Sequence, residues 1–389
     1  VKNKQKAIFI PADCIVIENS RSSAIGKALC QQYDIYWFKW KDSRDFEWTN
    51  QKLGFQKKIG IYFQNLFRRI SIQKTSDCNH VAFSFLHDNF FRIFLTKVLA
   101  VQICSWYNSI ALRRVIKIVQ PDHIFYMDGF YYFRAIESKR HIIWMDIQDD
   151  FDFADLHRLD RRLFRNYMRA QLIFSQKNYT VSTSAAENMS KEFNYPFHEL
   201  PNGAWFNSIQ SVTHQDVAKL KYQLGLENKI ILTYIGGSVW YDPFFVKQLM
   251  TSLLPFNEYV LVAVGNLPFI DLPNIIHIGA ISNEATYAYF QLSDIGLLMK
   301  DSMDSVFLRN SQPLKIIQYA AAKKPVVTFP ITWVLNNEFK NVFTIHQSNV
   351  DIWKEVILSL KTFIWTTEMN NKWEDYDWNQ IASTYLTIN

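Results

Sequence analysis

Lys229-Ile230-Ile231-Leu232-Thr233-Tyr234-Ile235-Gly236-Gly237-Ser238 decides the fold. A short, nearly unbroken apolar run closed by two glycines reads as a strand buried on both faces, leaving its sheet through a tight turn. A helix is expected next, from about Pro243 to Leu253. Further strands follow at Tyr259–Val264, Ile275–Ile278, Ile295–Leu298 and Pro325–Phe329. Helices are expected between them, at Glu284–Leu292 and Leu314–Ala322. Alternation of short apolar runs with helical patterns predicts a parallel sheet flanked by helices.

The same grammar opens the chain. Ala7–Ile10 reads as a buried strand and Asn19–Ser23 as a loop ending in an N-cap. Ala24–Gln32 reads as a helix and Ile35–Phe38 as the next strand, a βαβ opening without GxGxxG. Residues 50–75 read as one helix. Ala111–Val119 is expected to be helical up to the break at Pro121, with strands at His123–Tyr126 and Arg140–Trp144. Leu156, Leu159, Leu163 and Tyr167 mark one face of a helix, and Leu172-Ile173-Phe174 reads as a short strand. Ser184 with Glu187 fits a capping box for a helix over 185–193. The Pro201-Asn202-Gly203 turn places a boundary between domains 1–203 and 204–389, a division that suits a 389-residue chain.

With 20% charged and 49% hydrophobic residues the chain is an ordinary globular polypeptide, which excludes dominant disorder. The cysteines Cys14, Cys30, Cys78 and Cys104 form no CxxC pair and are expected as reduced thiols in a cytoplasmic protein. The histidines form no HExxH or triad pattern, which disfavours hydrolases. No run is long enough to span a bilayer; Ile93–Tyr107 comes nearest and is interrupted by Lys97.

Residues 51–120 hold 11 Lys and Arg against 2 Asp and Glu, so this segment calls for an anionic partner. Lys57, Lys58, Arg68 and Arg69 alternate with Phe55, Ile61, Phe63 and Phe67. That mixture suits a peripheral contact with anionic lipid. No nucleic-acid motif accompanies the charge, so nucleic acid is not expected as a partner.

Two constellations carry chemistry. Glycines at Gly236-Gly237-Ser238 let a phosphate approach backbone N–H groups beyond the carboxyl end of a strand. The stronger one is Ser311-Gln312-Pro313-Leu314-Lys315-Ile316-Ile317-Gln318-Tyr319-Ala320-Ala321-Ala322-Lys323-Lys324-Pro325-Val326-Val327. Pro313 sets the first helical turn. Lys315 then lies at the positive end of the helix dipole, a placement unfavourable by about 0.3–1 kcal/mol unless an anion sits there. Gln318, one turn on, can reach a ribose hydroxyl.

This string resembles the nucleotide-diphosphate site of GT-B glycosyltransferases, whose pattern is Pro-x-Lys-x-x-Glu-Tyr-x-Ala-x-Gly-x-Pro-Val-Val. Pro201-Asn202-Gly203 resembles their inter-domain hinge. Gln318 in place of Glu, with Gly237-Ser238-Val239-Trp240-Tyr241-Asp242-Pro243, is similar to the membrane-associated glucuronosyltransferases of xanthan assembly and to teichuronic-acid-type glycosyltransferases. The resemblance covers residues 140–330. It implies two Rossmann-like α/β domains whose parallel sheets face a central cleft. Gly237, Ser238, Val239, Lys315 and Gln318 would contact the donor nucleotide. Val239 stands where those enzymes carry a base-contacting Met, and Ala280 replaces an acidic pocket residue.

Asp149-Asp150-Phe151 resembles the acidic loop that supplies the catalytic base in the same enzymes, a role that falls to Asp149. An inverting transfer needs one base to deprotonate the acceptor hydroxyl. Crowding among Asp146, Asp149, Asp150 and Asp152 would raise one pKa toward a useful value. Asp150-Phe151-Asp152 also spells DxD, a metal–diphosphate motif of the other main glycosyltransferase fold. With Lys315 supplying the diphosphate site, no metal or other cofactor is expected. Arg21 falls in a loop that faces the cleft in GT-B proteins, and with Asp150 it is a candidate for acceptor contact.

The expected function is transfer of a sugar from a UDP-sugar to a lipid-linked or surface-polysaccharide acceptor. The expected place is the inner face of the plasma membrane. Two alternatives stand beside it: a nucleotide-sugar epimerase of similar double-Rossmann plan, and a non-catalytic module that binds sugar nucleotides.

Overall fold

A computed structural model describes residues 4–11, 21–40, 71–74, 79–83, 97–127, 141–147, 158–301, 308, 311–346 and 349–385. The chain forms two compact units, Val1–Leu200 and Pro201–Asn389.

The first unit contains β1 (Lys6–Ile10), α1 (Arg21–Leu29), β2 (Asp34–Trp40), β3 (Ser71–Lys74), β4 (Asn79–Phe83) and α2 (Lys97–Val119). These are followed by β5 (His123–Met127), β6 (Ile142–Ile147), α3 (Arg158–Leu172), β7 (Lys177–Thr180), α4 (Thr183–Phe193) and β8 (His198–Glu199). The sheet order is β3-β4-β2-β1-β5-β6-β7-β8. Every pairing is parallel except β3 with β4. The order reverses between β1 and β5, as in a doubly wound sheet. The core of this unit joins Ile8, Ile10, Ile124 and Ile143 from the strands to Leu112 and Val115 of α2 and Met168 of α3.

The second unit contains α5 (Phe206–Gln210), α6 (His214–Gln223), β9 (Ile230–Ile235), α7 (Pro243–Ser252), β10 (Tyr259–Val264), β11 (Ile275–Ile278), α8 (Asn283–Leu292) and β12 (Ile295–Leu298). It continues with α9 (Leu314–Ala321), β13 (Val326–Thr328), α10 (Thr332–Asn337), β14 (Val342–Thr344), α11 (Val350–Ser359), α12 (Thr367–Trp373) and α13 (Trp378–Tyr385). Its six strands are all parallel, in the order β11-β10-β9-β12-β13-β14. Right-handed crossovers from such an order send helices to opposite faces on either side of the β9/β12 switch. The packing agrees: α7 pairs with α11, while α8 and α9 both pack on α5. All of β10 is buried, which explains its unbroken Tyr-Val-Leu-Val-Ala-Val run.

Several expectations are corrected in the first unit. Residues 71–74 belong to β3, paired with β4, so no helix runs through to 75; the rest of that expected helix lies outside the described residues. Leu172 ends α3, and Ile173 is 62% exposed, so the apolar run Leu172–Phe174 is the end of a helix and no strand. The strand comes later, at the polar run Lys177–Thr180. Its last three residues are buried, and Asn178 Nδ2 donates to the Pro196 carbonyl at 3.0 Å. The cap of α4 is Ser182, which accepts from Ala185 N; a capping box is instead made by Thr213 and Asp216 at α6. Cys104 is a free buried thiol, whereas Cys30 is disulfide-bonded to a partner outside the described residues. Among the described residues no helix is long and apolar enough to cross a membrane.

Candidate functional site

The site is built at the β9/β12 switch point of the second unit, where the carboxyl ends of neighbouring parallel strands diverge. β9 runs into Gly236, whose φ of 131° is denied to residues with a side chain. Gly265, at the end of β10, has φ 132°, and a Cβ there would stand 2.2 Å from the Gly236 carbonyl oxygen. The two strand ends therefore touch backbone to backbone. A Cβ on Gly236 would in turn lie 2.5 Å from Lys315 Cε and 2.9 Å from its Nζ. The glycine thus makes room for the lysine.

Lys315 reaches this turn because of how α9 is seated. Tyr319 packs its ring over Gly296 of β12, where a Cβ would meet it at 2.6 Å. Its hydroxyl donates to the Thr233 carbonyl at 2.9 Å, and the Thr233 hydroxyl reaches Ser293 at 2.8 Å. Lys315 is four residues earlier, on the same helical face and one turn nearer the N-terminus. It therefore points along β9 past Tyr234 to Gly236. Its Nζ stands 5.3 Å from the centre of the Tyr234 ring.

Among the described residues no carboxylate pairs with this ammonium. Loss of hydration lowers its pKa from 10.5 to about 8. The surroundings leave a place for an anion. The start of α7 is closed by Asp242, which accepts from Phe244 N and Phe245 N. The start of α9 has no side-chain cap, because Pro313 occupies that position. Gly237 and Ser238 are exposed above Gly236, and a Cβ on Gly237 would meet nothing within 4 Å. Ser238–Trp240 forms a 3₁₀ turn that contains Val239. Gln318, half-buried on α9, lies three residues beyond Lys315. The structure thus gathers Gly237, Ser238 and Val239 at one turn and brings Lys315 against that turn through Gly236.

Sequence reasoning missed the support beneath it. Tyr234 is wholly buried, and its hydroxyl donates to the Gly237 carbonyl. Its signal was a phenol inside an otherwise apolar strand, where the hydroxyl requires a partner. Asn202 does more than form a turn. It is buried and anchored to the lead-in of α9: its Nδ2 donates to the Gln312 carbonyl at 2.7 Å, and its backbone N–H to Gln312 Oε1.

In the first unit, Arg21 is not in a loop. It is the first residue of α1, and its side chain is fully buried. Its Nε and Nη2 donate to the two Asp146 carboxylate oxygens, each at 2.8 Å, and Nη2 also donates to the Leu200 carbonyl at 2.6 Å. This ties α1, the end of β6 and the last residue of the unit at one point. A sealed guanidinium so engaged is a structural tie within the unit. The expected base Asp149, with Asp150, Asp152 and the basic positions Lys57, Lys58, Arg68 and Arg69, lies outside the described residues.

No family model matches the sequence, and no curated protein matches it. Solved structures do. The UDP-forming α,α-trehalose-phosphate synthase of Burkholderia xenovorans aligns with a TM-score of 0.66 at 9% identity, over 98% of this chain and 98% of that one. The sucrose-phosphate synthase of Thermosynechococcus elongatus gives 0.66 at 10%, over 98% and 97%. Anabaena HepE in complex with UDP gives 0.62 at 11%, over 98% of both. The fold is that of the GT-B glycosyltransferases. At such identities the likeness reaches the fold and stops there.

Proposed function

We propose that this protein is a glycosyltransferase that takes its sugar from a UDP-sugar. One observation carries the reading: a desolvated lysine, paired with no carboxylate among the described residues, held against an open glycine turn at the switch point of a Rossmann-like unit. A nucleoside diphosphate supplies the missing negative charge, and the turn supplies backbone donors for its oxygens. Anabaena HepE, of similar fold, has been solved with UDP and with UDP-glucose, which supports this donor class. The neighbours named UDP-forming fit the same chemistry.

The finer reading has Asp149 as the base that deprotonates the acceptor hydroxyl in an inverting, metal-independent transfer. The acceptor is a lipid-linked or surface-polysaccharide glycan, met at the cytoplasmic membrane face. The xanthan-type likeness around Gly237–Pro243 and at Gln318 supports hexosyl or glucuronosyl transfer.

Calorimetry tests the donor site. Lys315→Ala should weaken UDP about 10- to 100-fold, the value of a charge-assisted contact; an unchanged affinity removes the assignment. UDP release from a panel of UDP-sugars then tests transfer. Asp149→Asn should abolish turnover with UDP affinity intact, and EDTA should have no effect. Inhibition by EDTA, reversed by Mg²⁺, would move the chemistry to Asp150 and Asp152. Interconversion of the donor without an acceptor would identify an epimerase instead, and binding without turnover a non-catalytic module.

A further inference from the structure

We propose that Tyr234 is the positioning residue of the donor site, orienting both the backbone donor and the cation that receive the diphosphate. The inference rests on the donor reading above and adds a residue that touches no ligand.

The Tyr234 hydroxyl donates to the Gly237 carbonyl. Burial raises its pKa far above the usual phenol range, so the proton stays in place as a donor. The peptide bond between Gly237 and Ser238 is trans. In a trans peptide the carbonyl and the following N–H point in opposite directions. Drawing the Gly237 carbonyl down onto the buried phenol therefore turns the Ser238 N–H up and out. Among the described residues nothing accepts from that N–H, and Ser238 is exposed.

The ring of the same tyrosine does the second task. Lys315 Nζ lies 5.3 Å from its centre, and the aliphatic end of the lysine is confined on its other side by Gly236. The electron-rich face of the ring holds a cation without neutralising it, as a carboxylate would. The ammonium thus stays available to a phosphate. Tyr241, whose ring centre is 5.0 Å away, fixes the tyrosine plane from a neighbouring segment. One buried side chain therefore sets a neutral and a charged donor at a single turn.

Tyr234→Phe separates these parts, since it keeps the ring and removes the hydroxyl. Tyr259→Phe is the control: it alters another buried tyrosine of the same sheet, at the opening of β10, the end of the strand away from the turn. Affinities for UDP and uridine are measured by calorimetry. The Ser238 amide is followed by NMR in selectively ¹⁵N-serine-labelled protein. Tyr234→Phe should weaken UDP about 3- to 10-fold, the worth of one hydrogen bond, and leave uridine unchanged. UDP should move the Ser238 amide resonance downfield in the parent and far less in Tyr234→Phe. Tyr259→Phe should leave UDP affinity at the parent value.

If Tyr234→Phe binds UDP like the parent, or loses UDP and uridine equally, the phenol is only a core residue and the inference fails. If Lys315→Ala also binds UDP like the parent, the donor site itself fails. Loss in Lys315→Ala with none in Tyr234→Phe overturns the role of Tyr234 alone.

Discussion

The ammonium of Lys315 faces the Tyr234 ring at 5.3 Å, and burial lowers its pKa to about 8. Loss of hydration disfavours the charged form of the amine. The free protein therefore carries a cation in a place that suits a cation poorly, and a bound anion would relieve that mismatch.

The first prediction is a proton linkage. Below pH 8 both the folded and the unfolded chain hold the Lys315 proton, and folding bears the full desolvation cost. Between pH 8 and the unfolded value of 10.5 only the unfolded chain holds it. Stability from this group should therefore rise with pH across that window. UDP favours the charged amine, so binding near pH 8–9 should take up a proton, and affinity should fall as pH climbs above 8. Calorimetry in two buffers of different ionisation enthalpy reads this directly. Equal heats in both buffers, or uptake that persists in Lys315→Met, would refute it.

The glycines should separate by conformation. Gly236 and Gly265 hold φ near 130°, and added methyls would strike Lys315 Cε and the Gly236 carbonyl. Gly236→Ala and Gly265→Ala should each cost about 1–3 kcal/mol, and Gly236→Ala should also displace Lys315 and weaken UDP. Gly237 has φ −76° and open space around its Cα, so Gly237→Ala should fold as stably as the parent. Urea denaturation ranks the three, and a Gly237→Ala variant as unstable as the other two would contradict the turn geometry.

Much of the second unit is legible because most of its strands are compact apolar runs closed by a turn residue, whereas the half-buried three-residue β14 carries no such signal. Tyr259–Val264, Ile275–Ile278 and Ile295–Leu298 are bounded in the structure where the sequence bounds them. The Lys315 string was legible because a cation in a first helical turn breaks a local rule. The first unit hid its elements where polarity and burial part company. Lys177–Thr180 is a buried strand spelled in polar residues, and Leu172-Ile173-Phe174 is apolar at the frayed end of a helix. Tyr234 and Arg21 escaped for a related reason. Each acts through a buried polar contact: Arg21 with Asp146, which only the tertiary fold brings near, and Tyr234 with Gly237, which the glycine turn folds back onto it.

Arg21 supplies the third prediction. Removing one partner of a buried ion pair strands the other charge, at a cost of about 3–5 kcal/mol. Arg21→Met should destabilise the first unit by that order, because Asp146 would remain buried without its guanidinium. Arg21→Met with Asp146→Leu should recover part of the loss. Chemical denaturation measures both. A stable Arg21→Met whose only defect is a raised acceptor KM would return Arg21 to acceptor binding.

The last prediction concerns the basic N-terminal region. Of its charged stretch, α2 is described, and its two sides differ. Cys104, Asn108, Leu112, Val115 and Val119 are buried. Leu99, Trp106, Arg113 and Lys117 are exposed, and their spacing puts them along one stripe. An exposed indole above two cations is a surface suited to the headgroup region of anionic lipid. Lys57, Lys58, Arg68 and Arg69 add charge from the neighbouring sequence, each worth about 1 kcal/mol within a Debye length of the surface. Such a contact would bring the protein to a lipid-linked acceptor without a spanning helix. Co-sedimentation with vesicles of phosphatidylglycerol and phosphatidylcholine tests it. Binding should require the anionic lipid and weaken with salt. It should fall when Lys57, Lys58, Arg68 and Arg69 become Gln, and fall separately in Trp106→Ser. Protein that stays in the supernatant with anionic vesicles at low salt has no such membrane surface, and a soluble acceptor then replaces the lipid-linked one.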